Sequence, residues 1–353
     1  VDVYRGEVKA QKKFWLLLMY VSLFHQCIAG PIVRYQDVNQ EILSRRATKA
    51  EISRGISRFC TGLAKKALLA NSCGALADTL ILSDAVASNA ASLAQNLATI
   101  QARPVLSLWL GVFAFMLQIY LDFSAYSDMA IGMGLMIGFH YKENFDYPYL
   151  SRSVSEFWRR WHISLGSFFR DYVYIPLGGN RHGVPRTIAN LFFVWFLTGL
   201  WHGASWNFVL WGLYFFVFIA AERLFLGRIL ERIPVIFSHL YLLIVVFFGW
   251  AIFRFRQPVL LSAVLGGTFG ANGNPLTNFE FNTVFLNYVF FLIAAVIATT
   301  PLLKALGERF SSGGLRTAYA YNALQMFVPP LLLLLSTAAL VGNSYNPFLY
   351  FQF

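Results

Sequence analysis

LFFVWFLTGLWHGASWNFVLWGLYFF, from Leu191 to Phe216, is an apolar run long enough to cross a lipid bilayer. The only side chain in it that titrates near neutral pH is His202. Burying a polar group in a membrane costs free energy, so such a group is usually partnered inside the protein and tied to function. On a continuous helix, the neighbours of His202 three and four residues away are small, polar or aromatic: Thr198, Gly199, Ser205 and Trp206. Two interpretations are open, a reactive group in a chamber or a histidine that only hydrogen-bonds a neighbouring helix.

The composition indicates an integral membrane protein. Of the 353 residues, 57% are apolar and 13% are charged, against roughly 25% charged in a soluble domain. The net charge of +11 is also found in nucleic-acid-binding proteins, but basic residues accumulate in cytoplasmic loops and bind anionic lipid. We therefore expect membrane lipids, and not nucleic acid, as partners. Cys27, Cys60 and Cys73 show neither metal-ligand spacing nor a disulfide framework, so we assign them no role.

The first third of the chain alternates between apolar and basic segments. Phe14–Val33 is a predicted span, interrupted by His25, Gln26 and the Gly30–Pro31 pair, and should be kinked or partly re-entrant. The basic segment Arg34–Lys66 is predicted to lie at the cytoplasmic membrane surface. Asn71–Ile100 is too polar for a lipid-facing span, so it is predicted to be an extracytoplasmic excursion or a short helix on the body.

Pro104–Phe139 is long enough for two spans. It contains Gln118, Asp122 and Asp128, and the first two are one helical turn apart. Buried carboxylates need partners, so these side chains should face protein or water and not lipid. A structural network is the favoured role, ahead of catalysis.

Tyr141–Arg186 is the most informative segment outside the predicted spans. Its apolar residues recur at helical spacing: Val154, Phe157, Trp158, Trp161, Leu165, Phe168 and Phe169. The pattern predicts one amphipathic helix with His162 at the border of the apolar stripe, facing a cavity. The Pro-Leu-Gly-Gly-Asn run that follows, residues 176–180, predicts irregular backbone.

Four further apolar segments follow: Ser238–Phe253, Val259–Phe269, Val284–Thr300 and Ala318–Val341. The second is short and rich in glycine and is not expected to span. Ser344–Phe353, SYNPFLYFQF, is expected to pack against the body. We predict a single membrane domain over residues 1–353. Because the sequence begins at Val1 and not at a methionine, a fragment that lacks earlier spans is also open.

ENFDYPYLSRSVSEFWRRWHISLGSFFRDYVYIPLGGNR, from Glu143, and LTGLWHGASWNFVLWGLY, from Leu197 to Tyr214, carry a resemblance to a known family. Supporting stretches are DVYRG at Asp2–Gly6, LDFSAYSDMAIGMG at Leu121–Gly134, and the C-terminal SYNPFLYFQF. Together they resemble the membrane-bound O-acyltransferase (MBOAT) family, and within it the bacterial alginate O-acetylase branch.

The resemblance implies an all-α integral membrane protein, a multi-helix bundle with re-entrant or interfacial helices around a central tunnel. Two histidines would lie near the middle of that tunnel. His202, in the Trp-His-Gly context, would be the principal catalytic residue, and His162, in Arg-Trp-His-Ile-Ser, the second. The tunnel would be lined by Trp158, Thr198, Trp201, Ser205 and Trp206.

The implied reaction moves an acetyl group from acetyl-CoA on the cytoplasmic side of a bacterial inner membrane to an extracytoplasmic hydroxyl. An apolar shell favours the neutral imidazole, so His202 could accept the hydroxyl proton. His162 would orient a substrate or donate a hydrogen bond to the oxyanion. No bound cofactor is expected, and no metal, because no third ligand accompanies the histidines.

Arg152, Arg159 and Arg170 are candidates for binding the phosphates of coenzyme A. The alternative for each is an interfacial anchor that binds lipid headgroups. The implied partners are periplasmic acetyl-transfer proteins of a polysaccharide-modification system.

Other functions remain open at this point. Two closely related reactions are D-alanyl transfer to teichoic acid, with a carrier protein as donor, and peptidoglycan O-acetylation. A proton-coupled transporter belongs to a different class and would use the intramembrane histidine and carboxylates as a relay. A transporter would give no reason for the amphipathic pattern of Trp, Arg and His in the segment Tyr141–Arg186.

Overall fold

The structure, a computed structural model, describes residues 1–27, 30–82, 90–341 and 348–349. These residues form helices and no strand, and the single isolated β-bridge among them joins Phe145 and Trp161. The all-α prediction is confirmed. The α-helices are α1 (Phe14–Ser22), α2 (Tyr35–Leu43), α3 (Lys49–Ala64), α4 (Asn71–Ile81), α5 (Ala90–Gln101), α6 (Val105–Met136), α7 (Val154–Arg160), α8 (Ile163–Phe169), α9 (Gly183–His202), α10 (Trp206–Ala221), α11 (Gly227–Arg232), α12 (Val235–Arg254), α13 (Pro258–Thr268), α14 (Phe279–Ala298), α15 (Leu302–Ser312) and α16 (Leu315–Val341).

Six helices in the described part of the chain are long and apolar enough to cross a membrane. They are α6, α9, α10 with its continuation to Arg232, α12, α14 and α16. The three predicted spans near the C-terminus therefore correspond to α12, α14 and α16. As predicted, α13 is too short to span, with 11 residues.

The N-terminal half differs from the prediction in the number and the length of its spans. Pro104–Phe139 does not form two spans but one helix, α6, of 32 residues, about 48 Å long. In the predicted span Phe14–Val33, α1 has only nine residues and a short 3₁₀ turn follows at Phe24–Gln26. The helix ends just before His25 and Gln26, where the interruption is predicted, and α1 alone is too short to cross a bilayer. Residues 28–29 lie outside the described residues.

The basic segment is exposed at Arg45, Arg46 and Lys49 and becomes buried toward Lys66. From Lys49 the chain is helical through α3, a π-helical turn at Lys65–Ala70 and α4. This long helix packs along α6 because glycines allow the backbones to meet: a Cβ added at Gly55 would lie 2.6 Å from the carbonyl oxygen of Gly132. Of the predicted Asn71–Ile100 segment, α4 is buried in the core, and residues 83–89 lie outside the described residues.

The same packing supplies partners for the intramembrane carboxylates. The Lys66 ammonium lies 2.6 Å from the Asp122 carboxylate, and Asp128 receives Lys65 at 2.6 Å and Arg58 at 2.9 Å. Leaving either carboxylate unpaired would cost several kcal/mol, roughly 3–5 for a buried pair. The expectation that these carboxylates are partnered inside the protein is confirmed.

The C-terminal stretch is described only at residues 348–349; residues 344–347 and 350–353 lie outside the described residues. The Leu349 side chain is 9% exposed, and its backbone N–H donates a hydrogen bond of 2.7 Å to the Asp122 carboxylate. At this position the expected packing against the body is present.

Candidate active site

His202 ends α9, and the helix does not continue as expected. Residues 203–205 form the connection, and α10 begins at Trp206 with Ser205 as its N-cap. The two helices then fold back on each other, closely enough that a Cβ at Gly212 would lie 2.4 Å from the Trp195 carbonyl oxygen. His202 therefore lies at the tip of a helical hairpin, and Ser205 and Trp206 are not its neighbours on one helix face.

The imidazole of His202 is surrounded by aromatic rings. Its ring centre lies 4.9 Å from that of Trp211, 5.4 Å from Phe253 and 6.4 Å from Phe208. No residue that the structure describes forms a hydrogen bond with its ring nitrogens. The nitrogens are therefore available to a substrate.

The predicted single helix around His162 is wrong. Helix α7 ends at Arg160, Trp161 is extended, and α8 begins at Ile163. His162 occupies the junction in the left-handed region, with φ of 46° and ψ of 54°, a conformation that is uncommon for a residue with a side chain. Such strain of about 1–3 kcal/mol persists where the surroundings impose it, and it is frequent at active sites.

The break is fixed by the segment before α7. Asp146 donates its backbone N–H to the Arg160 carbonyl at 2.9 Å, and Ile163 donates to the Asn144 carbonyl at 3.0 Å. Main-chain hydrogen bonds on both sides of the junction thus keep α7 and α8 from joining into one helix. They place His162 inside the body, where it is 4% exposed.

Asn144 determines which nitrogen of His162 carries the proton. Its side-chain oxygen accepts the backbone N–H of Ser164 at 3.1 Å and the Ser164 hydroxyl at 2.8 Å. The atom is therefore an acceptor, and His162 Nδ1, 3.1 Å away, must donate to it. A neutral His162 then presents Nε2 as a bare acceptor.

Each histidine lines its own cavity. His162 and Trp201 line one of about 370 Å³ together with residues 20–21, 26–27 and 30–33 of the N-terminal segment. His202 lines a smaller one, of about 30 Å³, together with Asp122. The Phe123 ring borders both cavities. Trp201 contacts both imidazoles, with ring centres 6.2 Å from His162 and 4.9 Å from His202. The two histidines therefore lie in one site, each beside its own cavity, with Trp201 and Phe123 between the two cavities.

The structure brings only part of the predicted tunnel lining to this site. Trp201 lines the His162 cavity, whereas Trp206 is 79% exposed on the outside of the protein. Trp158 packs among Trp195, Trp211 and Phe215. The Thr198 hydroxyl donates to the Val194 carbonyl within its own helix. Neither Trp158, Thr198 nor Ser205 lines either histidine cavity.

Two of the three predicted arginines lie together. Arg152 and Arg159 line a cavity of about 640 Å³ between α7 and the base of the α9–α10 hairpin. Arg170 is elsewhere: its guanidinium is exposed and lies 2.7 Å from the Asp171 carboxylate. This hydrogen bond is the main reason why the pKa of Asp171 lies below its usual value.

Glu222 connects two parts of the site, and the sequence analysis does not predict this contact. It follows α10 directly and is 8% exposed. Its carboxylate accepts the backbone N–H groups of Val154 and Ser155, at 2.6 and 2.9 Å, and the Ser155 hydroxyl at 2.6 Å. It thereby satisfies the first N–H groups of α7, which a helix leaves without partners. The helix that leads to His162 is thus tied to the hairpin that carries His202.

No group of three or more His, Cys, Asp or Glu side chains suited to a metal ion occurs in residues 1–27, 30–82, 90–341 and 348–349. The site consists of two imidazoles, aromatic walls and the Asp122–Lys66 pair. Such an arrangement can bind an uncharged substrate and accept a proton from it.

Comparison with known proteins identifies the chain's relatives. Residues 13–263 match the model of the MBOAT, membrane-bound O-acyltransferase, family. Two proteins named as probable alginate O-acetylases align with the whole chain and with 72% of their own length: that of Pseudomonas putida is 38% identical and that of Azotobacter vinelandii 35%. The peptidoglycan O-acetyltransferase of Helicobacter pylori is 32% identical over 95% of the chain and 64% of its own length. The chain therefore belongs to the membrane-bound O-acyltransferase family and is a multi-pass membrane O-acyltransferase.

Proposed function

We propose that this protein transfers an acetyl group from acetyl-CoA to a hydroxyl of an alginate-like exopolysaccharide, directly or through a periplasmic partner protein. The names of its relatives in Pseudomonas and Azotobacter support the reaction class and the acceptor. The observation that carries the proposal is the shared site. His162 and His202 line two neighbouring cavities that share the Phe123 ring as a wall, so a donor and an acceptor would each have a cavity beside the histidine pair.

His202 acts as the base in this mechanism. The acceptor hydroxyl oxygen attacks the thioester carbonyl carbon while its proton moves to an imidazole nitrogen of His202. The tetrahedral intermediate collapses, the carbon–sulfur bond breaks, and the proton passes from His202 to the coenzyme A thiolate. A positioned base of this kind typically contributes about 10²- to 10⁴-fold to the rate.

His162 orients the acceptor. Since Nδ1 donates to Asn144, the neutral ring can only accept at Nε2 and cannot stabilise an oxyanion there. The nitrogen instead accepts a hydrogen bond from a hydroxyl in the 370 Å³ cavity. Holding the acceptor in an attacking geometry lowers the entropic part of the barrier.

Arg152 and Arg159 bind the phosphates of acetyl-CoA in the 640 Å³ cavity that they share. Thr187 lines that cavity, and it lies 15 residues before His202, about 22 Å along α9. The long arm of coenzyme A would bridge this distance. Arg170 does not line the cavity and its charge is already paired with Asp171, so we assign phosphate binding to the other two arginines.

The setting of the reaction follows from this proposal. Residues 1–353 form a single membrane domain in the bacterial inner membrane, with membrane lipids around it. Acetyl-CoA is cytoplasmic, whereas exopolysaccharide is modified outside, so acetyl-transfer proteins of the periplasm are the expected partners. Peptidoglycan O-acetylation is the second candidate, because the Helicobacter pylori relative aligns with nearly the whole chain.

The test supplies acetyl-CoA with a radiolabelled acetyl group to the purified protein, together with alginate, peptidoglycan fragments or periplasmic partner proteins. We expect label in alginate or on a partner serine. Label in peptidoglycan would select the second candidate, and transfer only from a D-alanyl carrier protein would select the teichoic-acid reaction. Proton-coupled solute transport in vesicles without any acyl donor would contradict the enzyme mechanism.

A further inference from the structure

The cavity beside His202 is small. Its volume is about 30 Å³, and a water-sized group needs about 10–15 Å³ of such volume. Two or three groups of this size fit, which corresponds to the methyl and carbonyl of an acetyl group. Because the cavity borders the His202 imidazole, an acyl group bound here has its carbonyl carbon next to that ring.

Most of the cavity wall is held by mutual packing. Five aromatic side chains line it: Phe123, Trp161, Trp211, Trp250 and Phe253. The Trp161 and Trp250 ring centres are 4.8 Å apart, and those of Trp211 and Phe253 are 5.3 Å apart. These rings lie on helices or at helix junctions and support one another, so none of them can move without disturbing the core.

Leu349 completes the wall from a different part of the chain. Its side chain borders the cavity, and its backbone N–H donates to Asp122 at 2.7 Å. Asp122 is paired with Lys66 at 2.6 Å, whose ammonium lies 4.8 Å from the centre of the Phe348 ring. A buried ion pair between α6 and the long α3–α4 helix thus fixes an aliphatic side chain in the wall of the cavity that His202 also lines.

We propose that Leu349 limits the length of the acyl group that the enzyme transfers. The inference rests on the proposed acetyl-transfer function and adds the residue that excludes longer acyl chains. The terminal carbons of a propionyl or butyryl thioester would meet the Leu349 side chain before the carbonyl carbon reaches His202. In apolar pockets, one methylene typically changes discrimination by about 10- to 200-fold.

The experiment measures transfer from acetyl-, propionyl- and butyryl-CoA to one acceptor in the wild type and in Leu349→Ala. We expect the ratio of butyryl to acetyl transfer to rise at least tenfold in the variant, because removing three side-chain carbons lengthens the cavity. Leu260→Ala is the matched control. Leu260 is a buried leucine of α13 that lines neither histidine cavity, and its loss should leave the ratio unchanged.

The outcomes separate this inference from the proposed function. An unchanged ratio in a Leu349→Ala protein that still transfers acetyl overturns the inference and leaves acetyl transfer intact. A wild type that transfers no acetyl from acetyl-CoA overturns the proposed function itself. Should Leu349→Ala fail to fold, Leu349→Val removes one carbon. It should raise the propionyl-to-acetyl ratio, and no rise would likewise overturn the inference.

Discussion

The two histidines of the site lie at similar places in the fold and in different chemical surroundings. Each is at a break between two helices, His162 between α7 and α8 and His202 between α9 and α10. His162 is held by a hydrogen bond to Asn144 and by main-chain bonds around a strained junction. His202 is surrounded by aromatic rings, with no hydrogen bond to its nitrogens from the described residues.

This difference assigns the two histidines different roles, one in orienting a substrate and the other in proton transfer. A ring whose tautomer is fixed on one side presents a defined acceptor on the other, which suits the orientation of a substrate. A ring held only by packing can bind a proton on either nitrogen and release it, which suits proton transfer. The four predictions below test this contrast, in order of decreasing expected effect.

Replacing His202 with alanine should reduce acetyl transfer by about 10²- to 10⁴-fold, because the carboxylate that also lines the small cavity, Asp122, is paired with Lys66. The measurement is turnover of radiolabelled acetyl-CoA by purified, membrane-inserted protein. His182→Ala, which removes an exposed histidine outside both cavities, is the control. Transfer above a tenth of the wild-type rate would remove His202 from its role as the base.

Replacing His162 with glutamine should reduce transfer by about 10²-fold, since a misplaced acceptor loses its attacking geometry. The loss should be smaller than for His202→Ala, and it should appear in both kcat and the KM for the acceptor. Steady-state kinetics with varied acceptor concentration measure this split. An unchanged turnover would reduce His162 to a packing residue.

Asn144 offers a sharper test of the fixed tautomer. Asn144→Ala removes the acceptor of His162 Nδ1 and of two Ser164 donors. Loss of the bond to His162, worth about 0.5–1.5 kcal/mol, should slow transfer about 2- to 12-fold. Asn144→Asp keeps the acceptor oxygen but adds a negative charge, which raises the pKa of His162 in the variant. The acidic limb of its rate profile should therefore move to higher pH. A limb that stays in place would mean that Asn144 supports only the fold.

A third histidine, at the protein surface, gives the smallest effect. His140 lies 3.0 Å from Glu51 and 2.7 Å from Glu41, and hydrogen bonds to Glu51 and then Glu41 raise its pKa above the usual 6.5. The stability it contributes is therefore fully present below about pH 6.5 and is lost as the pH rises through the higher folded-state pKa.

Because the His140 side chain is 50% exposed, we expect a contribution below about 1 kcal/mol. The melting temperature in detergent should fall slightly with rising pH in the wild type, and His140→Gln should flatten that dependence. The acetyl-transfer rate at a fixed pH should not differ between the two proteins. A lower rate in His140→Gln would show that this surface histidine acts on the site, and that the chemistry is not confined to His162 and His202.

The membrane class and most of the long spans can be predicted from the sequence, which also singles out His162 and His202. The prediction of helix bounds fails where the apolar spacing continues across a break in the helix. The apolar spacing from Val154 to Phe169 is helical throughout, so nothing in it signals the left-handed turn at His162. That turn is imposed by Asn144 and Asp146, which lie outside the pattern. Tertiary contacts of this kind have no local signal.

The packing of the Lys65–Lys66 end of the basic segment against α6 has no signal in the charge pattern. Charge alone favours a surface position for these lysines, although Asp122 and Asp128 need cations as partners inside the protein. The signal that was available is the glycine spacing: Gly55 and Gly62, seven residues apart, mark a face that meets another backbone. Combining that face with the unpaired carboxylates would have placed the helix beside α6.

Glu222 links the two histidine-bearing regions mechanically. It extends from the base of the α9–α10 hairpin and holds the first turn of α7 through two backbone N–H groups. The position of the helix before His162 is therefore set by a carboxylate at the end of the hairpin that carries His202, and loss of this carboxylate would release the start of α7 from the hairpin.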